Sequence, residues 1–136
     1  MYFDTELNIV KQDEQFALGC LCRPDIPEPV LVSCVCSWES CALLVIQNPY
    51  SFVIQTAAVK TWYSCAEHVM QTPELEDLLI ACTAHEVLAE KLMHHQDPVI
   101  RAACTHWKRL AEQLQHDPQP GVAHASRSML NIKPLT

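Results

Sequence analysis

Cys20 and Cys22, and then Cys34 and Cys36, form two Cys-x-Cys pairs within one stretch of chain, and Cys41 follows closely. On a strand, residues two apart share a face. A hairpin pairing the two stretches in register would bring four thiolates together, a set that suits structural zinc. Zinc sites favour Cys-x2-Cys on turns, where backbone amides help to neutralise the thiolates, so two flat strands are an unusual support. Cysteine as a small buried apolar residue accounts for the same pattern and is the favoured reading. A second constellation is Cys65-Ala66-Glu67-His68 with Cys82-Thr83-Ala84-His85. Each pair has helical i,i+3 spacing, so both side chains reach one point, and two antiparallel helices could build a Cys2His2 site. The short link Gln71-Thr72-Pro73 leaves the pairs at unequal distances from the corner. Cys82 and His85 also fall on an apolar seam, where packing accounts for them. The expectation is therefore no metal and no cofactor. If a metal binds, its ligands come from Cys20, Cys22, Cys34 and Cys36, or from Cys65, His68, Cys82 and His85.

Nucleophilic catalysis has its residue types but lacks its local signatures. Cys104 with His106, or His85 with Glu86, supplies thiol, imidazole and carboxylate, yet no Gly-x-Ser-x-Gly or comparable motif surrounds them. His85-Glu86 does not extend to His-Glu-x-x-His, because position 89 is alanine. The chain has two glycines, Gly19 and Gly121, too few for a phosphate-cradling loop. No catalytic residue is assigned. A cysteine-dependent enzyme stays open as an alternative, marked by a thiol of low pKa.

The elements that must position these groups differ between the two halves of the chain. Residues 16–22, 30–36 and 41–47 are short runs rich in Val, Leu, Ile and Cys, bounded by breakers, which is a strand pattern. Arg23-Pro24-Asp25-Ile26-Pro27-Glu28-Pro29 separates the first two, and its prolines suit an extended loop. Ser37-Trp38-Glu39-Ser40 reads as a tight connection, and residues 6–11 as a further strand. Together they predict an antiparallel meander of three or four strands.

From Asn48 onward the period becomes helical. Ala58, Trp62, Cys65 and Val69 mark a first helix. Thr72-Pro73 caps a second, with carboxylates at Glu74, Glu76 and Asp77 near its positive end. Leu75, Leu78, Cys82, His85, Ala89 and Leu92 form one stripe and predict a single long helix ending at His94-His95. Asp97-Pro98 starts a third, with Ile100, Ala103, Trp107, Leu110 and Leu114 as its stripe. The segment Asp97-Pro98-Val99-Ile100-Arg101-Ala102-Ala103 resembles the second helix of a HEAT-type hairpin. The resemblance covers one hairpin, and no second copy is seen at the ~40-residue period of such arrays, so no family is assigned. The predicted fold is thus α+β: the meander, packed by two or three C-terminal amphipathic helices, as one domain over residues 1–120. Residues 121–136 read as a flexible or docked tail carrying Met129, Leu130, Ile132 and Leu135.

Composition bounds the function. Among 136 residues, hydrophobic types make up 49% and charged types 18%, so apolar surface is expected for a partner or a second copy to cover. Nine basic residues against sixteen acidic ones argue against nucleic acid. The N-terminus has no signal-peptide pattern, and no run reaches the ~20 apolar residues of a membrane span. An intracellular, reducing, cytoplasmic setting follows as the expectation. The leading reading is a small acidic protein-binding or regulatory module without catalysis, bound to another protein or to itself as a homodimer. Its expected surface includes the meander edge and the Pro-rich loop. Trp38, Tyr50 and Ile26 are the interface candidates, since aromatic residues dominate binding hot spots. A zinc-binding structural or sensing module is the alternative.

Overall fold

The computed structural model describes residues 4–131, and every regular element among them is helical. In chain order these are α1 (Asp4–Val10), α2 (Glu14–Leu21), α3 (Glu28–Ser37), α4 (Glu39–Ile46), α5 (Phe52–Thr61) and α6 (Tyr63–Met70). There follow a 3-10 helix Pro73–Leu78, α7 (Leu79–Cys82), α8 (Glu86–Leu92), α9 (Pro98–Ala103), a 3-10 turn Cys104–His106, α10 (Lys108–Leu114) and α11 (Pro120–Met129).

The expected α+β fold is therefore overturned. Residues 6–11, 16–22, 30–36 and 41–47, read above as strands, lie in or along α1 to α4. A short apolar run does not distinguish a buried strand from a buried helix by period alone. Here burial decides for the helix. The buried residues are Ala17, Cys20 and Leu21 in α2, Val30, Cys34 and Val35 in α3, and Cys41, Ala42, Val45 and Ile46 in α4. These are the i, i+3 and i+4 spacings of a helix face. The Pro-rich loop does precede α3, and Pro29 sits in that helix's first turn, where it gives up no hydrogen bond. The long helix expected from Leu75 to Leu92 is also corrected. It breaks into a 3-10 helix, α7 and α8, with His85 extended at φ -106, ψ 117. The expected two or three C-terminal helices are accordingly a larger number of short ones.

The breaks obey a rule. One extended residue separates each pair of helices: Trp38 (φ -134, ψ 122) between α3 and α4, and Trp62 (φ -119, ψ 121) between α5 and α6. Trp107 (φ -90, ψ 115) precedes α10, and Asp13 (φ -133, ψ 103) precedes α2. Positions 13, 38, 62, 85 and 107 thus recur at about 24 residues, the period of a helical repeat. Relative to each break the sequence repeats as well. Ala17, Ala42, Ala66, Ala89 and Ala111 stand four residues on, and all have 0% exposure. Cys41, Cys65, Leu88 and Leu110 stand three residues on and are buried. Val10, Val35, Val59, Cys82 and Cys104 stand three residues before and are buried too. Pro24, Pro49, Pro73, Pro98 and Pro118 close the successive units. Alanine at the tightest position lets neighbouring helices approach closely, and proline stops each second helix where the chain must turn.

The chain divides into two compact units, Met1–Leu78 and Leu79–Thr136. In the first, α3 packs on α1, α2, α4 and α5, and α5 packs on the 3-10 helix Pro73–Leu78. In the second, α11 packs on α9 and α10. The segment read as a tail therefore contains a helix, with Val122 and Ser126 buried. Ile132 and Leu135 lie outside the described residues.

Candidate functional site

A helix turns about 100° per residue, so Cys-x-Cys pairs that would share a face on a strand point apart on a helix. Cys20 (1% exposed) and Cys34 (0%) are buried, whereas Cys22 and Cys36 are exposed. The four thiols are thus divided between core and surface. The buried Cys20 and Cys34 thiols are hydrogen-bonded to each other, and Cys41 is close enough to interact electrostatically with them. Of the second constellation, Cys65 and His68 lie on α6 in the first unit, while Cys82 and His85 belong to the second unit. Among the described residues, no three His, Cys, Asp or Glu side chains converge as metal ligands.

Burial sets the thiol chemistry. It pushes Cys34 and Cys82 up to about 12, and Cys41, Cys65 and Cys104 up to about 11. Cys20 is raised as well, chiefly by burial. These groups stay protonated at neutral pH, which makes them poor nucleophiles and poor metal ligands. In a titration of the folded chain with a chromogenic disulfide at pH 7.5, Cys22 and Cys36 are expected to react at once. The other six react only after denaturant is added. A third fast thiol contradicts this assignment.

The tryptophans are used for joining. The indole N–H of Trp38 donates to the Val10 carbonyl at 2.5 Å, that of Trp62 to Val35 at 2.7 Å, and that of Trp107 to Thr83 at 2.6 Å. Each bond runs from the break residue of one repeat to the end of the first helix of the repeat before it. Those carbonyls lie near helix C-termini and lack an intrahelical donor. A second ladder runs beside the first. Ser40 Oγ donates to Glu14 at 2.5 Å, Ser64 Oγ donates to Glu39, and Arg109 pairs with Glu86 at 3.3 Å. In every case the carboxylate is the first residue of one second helix, and its partner is the second residue of the next.

The interface candidates have internal duties. Trp38 is half-buried in its ladder, Tyr50 donates its hydroxyl to the Leu21 carbonyl at 3.0 Å, and Ile26 is 7% exposed. In the second unit, Arg101 makes four hydrogen bonds. Two go to Asp117 (2.8 and 3.1 Å), one to the His95 carbonyl (2.8 Å) and one to the Gln96 carbonyl (2.9 Å). A shallow pocket of about 420 Å³ opens beside this network, lined by His94, His95, Gln113 and Pro118 among others. Its one arginine is spent on structure.

One surface of the first unit is not consumed by packing. Val30, Ile54 and Leu78 are buried on successive first helices, the first two eight residues before their breaks and Leu78 seven before its own. One and two residues before them stand Pro29 and Glu28, then Val53 and Phe52, then Asp77 and Glu76. All six are exposed. Phe52 is 59% and Val53 54% accessible. Ser51 already caps α5 by accepting from the Ile54 amide at 3.3 Å, so the helix start does not require Phe52 or Val53. Ser51 Oγ also donates to Glu28 at 3.1 Å, which ties the acidic flank to the apolar pair. Phe52 and Val53 do not stand out in the sequence, because neither composition nor helical period marks them as exposed. The register of the repeat was the signal that would have found them.

No protein-family model, no curated protein and no solved structure matches the chain.

Proposed function

We propose that the chain is a protein-binding module built on helical repeats and that it has no catalysis of its own. The observation that carries this reading is how the reactive-looking side chains are employed. Six cysteines fill core positions of the repeat, and three tryptophans join one repeat to the next. Meanwhile large apolar side chains, Phe52, Val53, Val87 and Val99 among them, stay on the outside. Repeat arrays present long surfaces made of equivalent positions, and such surfaces serve binding more readily than covalent chemistry. The charge distribution supports a partner too. The first unit carries three basic and eleven acidic residues, the second six basic and five acidic. A uniform charge for solubility would not be so divided.

The test is native purification from the source cells, with light scattering on the eluted species. The chain is expected to elute with a different polypeptide in fixed stoichiometry. A lone monomer at micromolar concentration, with nothing joined to it by amine cross-linking before lysis, overturns the reading.

A further inference from the structure

Building on the protein-binding reading, we infer that the Phe52–Val53 face of the first unit docks a basic polypeptide segment, with one apolar side chain of the partner set between lysines or arginines. The apolar pair lies at the start of α5 and is more than half exposed. Glu28 reaches it through Ser51 Oγ at 3.1 Å, and Glu76 and Asp77 lie on the 3-10 helix Pro73–Leu78 against which α5 packs. All three carboxylates are exposed. The surrounding unit offers only Lys11, Arg23 and Lys60 as cations, and Arg23 is engaged with Asp25 at 3.0 Å.

Carboxylates at the start of a helix have a local explanation, since they answer its dipole. That explanation covers Glu28, Glu76 and Asp77. It does not cover two large apolar groups on the helix between theirs, left in water. An apolar centre inside a charged rim is the common anatomy of a binding patch, where the centre supplies affinity and the rim supplies selection. The sign of the rim selects the partner. A second copy of this chain presenting the same face would set like carboxylates, Glu28 first among them, against each other, so like-charge repulsion opposes self-pairing through this face. A segment with lysine or arginine on both sides of a leucine or an aromatic residue satisfies centre and rim together.

Fluorescence anisotropy on the full chain tests the inference. The probes are labelled 12-residue peptide pools with a central Leu or Trp and Lys or Arg at the flanking positions. A control pool carries Glu or Asp at the same places. The basic pool is expected to bind at least tenfold more tightly than the acidic one, and to weaken steeply as salt rises. Phe52→Ser should weaken it at least tenfold. The triple variant Glu28→Gln, Glu76→Gln, Asp77→Asn should weaken it several-fold and flatten the salt dependence. Both variants keep the wild-type helical circular dichroism, because all the altered side chains are exposed. Equal binding of the two pools overturns the inference, as does basic-pool binding that ignores both variants. A dimer in sedimentation that Phe52→Ser dissociates also overturns it, since the face then receives a second copy. If a native partner is retained by both variants, this inference fails while the protein-binding reading stands.

Discussion

Trp62→Ala should lower the free energy of unfolding by roughly 3 kcal/mol, near the lower end for truncating a large aromatic because the ring is only half-buried. Two losses combine in that figure. One is the apolar contact of the ring at the junction between repeats. The other is the indole N–H, whose removal leaves the Val35 carbonyl without its donor. Trp62→Phe separates them, since phenylalanine keeps most of the ring and none of the N–H. It should cost about 1–2 kcal/mol, the usual penalty for stranding a partly buried acceptor. Trp107→Phe should behave alike in the second unit through Thr83. Urea unfolding followed by circular dichroism measures all three. If these tryptophans were binding anchors rather than joints, Phe variants would leave the urea midpoint unchanged.

The sequence and the structure agree where one residue decides a local conformation. Asp97-Pro98 starts a helix as expected, with the Asp97 side chain accepting from the Val99 amide at 2.9 Å and proline in the first turn. They disagree where the decision belongs to packing. Val30-Leu31-Val32-Ser33-Cys34-Val35-Cys36 is rich in β-branched residues, and its local preference favours a strand. It is a helix because α3 is covered by α1, α2, α4 and α5, and a helix covered on several sides need not alternate polar and apolar residues. The same crowding explains the cysteines. A thiol fills the space between alanine and valine, and the repeat uses it at Cys41, Cys65, Cys82 and Cys104 where other repeats use leucine or valine. The repeat itself was readable. The prolines at 24, 49, 73, 98 and 118 mark a period much shorter than the ~40 residues of a HEAT-type array. The candidate face was legible only after that register was known. Nothing in residues 49–55 alone says that Phe52 and Val53 stay exposed beside Glu28.

Arg101→Met is the second variant with a large expected effect, about 3–4 kcal/mol of lost stability. Asp117 has only 6% of its side chain exposed and Arg101 16%, so removing the cation leaves a largely covered carboxylate with the Gln119 amide, at 2.9 Å, as its remaining donor. The His95 and Gln96 carbonyls lose a donor in the same step. The hydrogen bonds from Arg101 hold the Asp117 carboxyl below its ordinary value of 3.8. A depressed folded-state value stabilises the fold above the unfolded value and ceases to as pH falls through the folded one. The gap in melting temperature between wild type and Asp117→Asn should therefore stay level from neutrality to about pH 4 and shrink below it. A gap that widens in acid would place the stabilising charge elsewhere. The double variant Arg101→Met, Asp117→Leu separates pairing from positioning. With both charges gone, most of the single-variant loss should return, because an unpaired buried charge is what makes the single change severe. A shortfall of about 1 kcal/mol should persist, since the two carbonyls in the turn between α8 and α9 still lack the donor that Arg101 supplied. That shortfall measures how far this arginine, which begins as half of an ion pair, also fixes the turn from which Asp97 launches the next repeat.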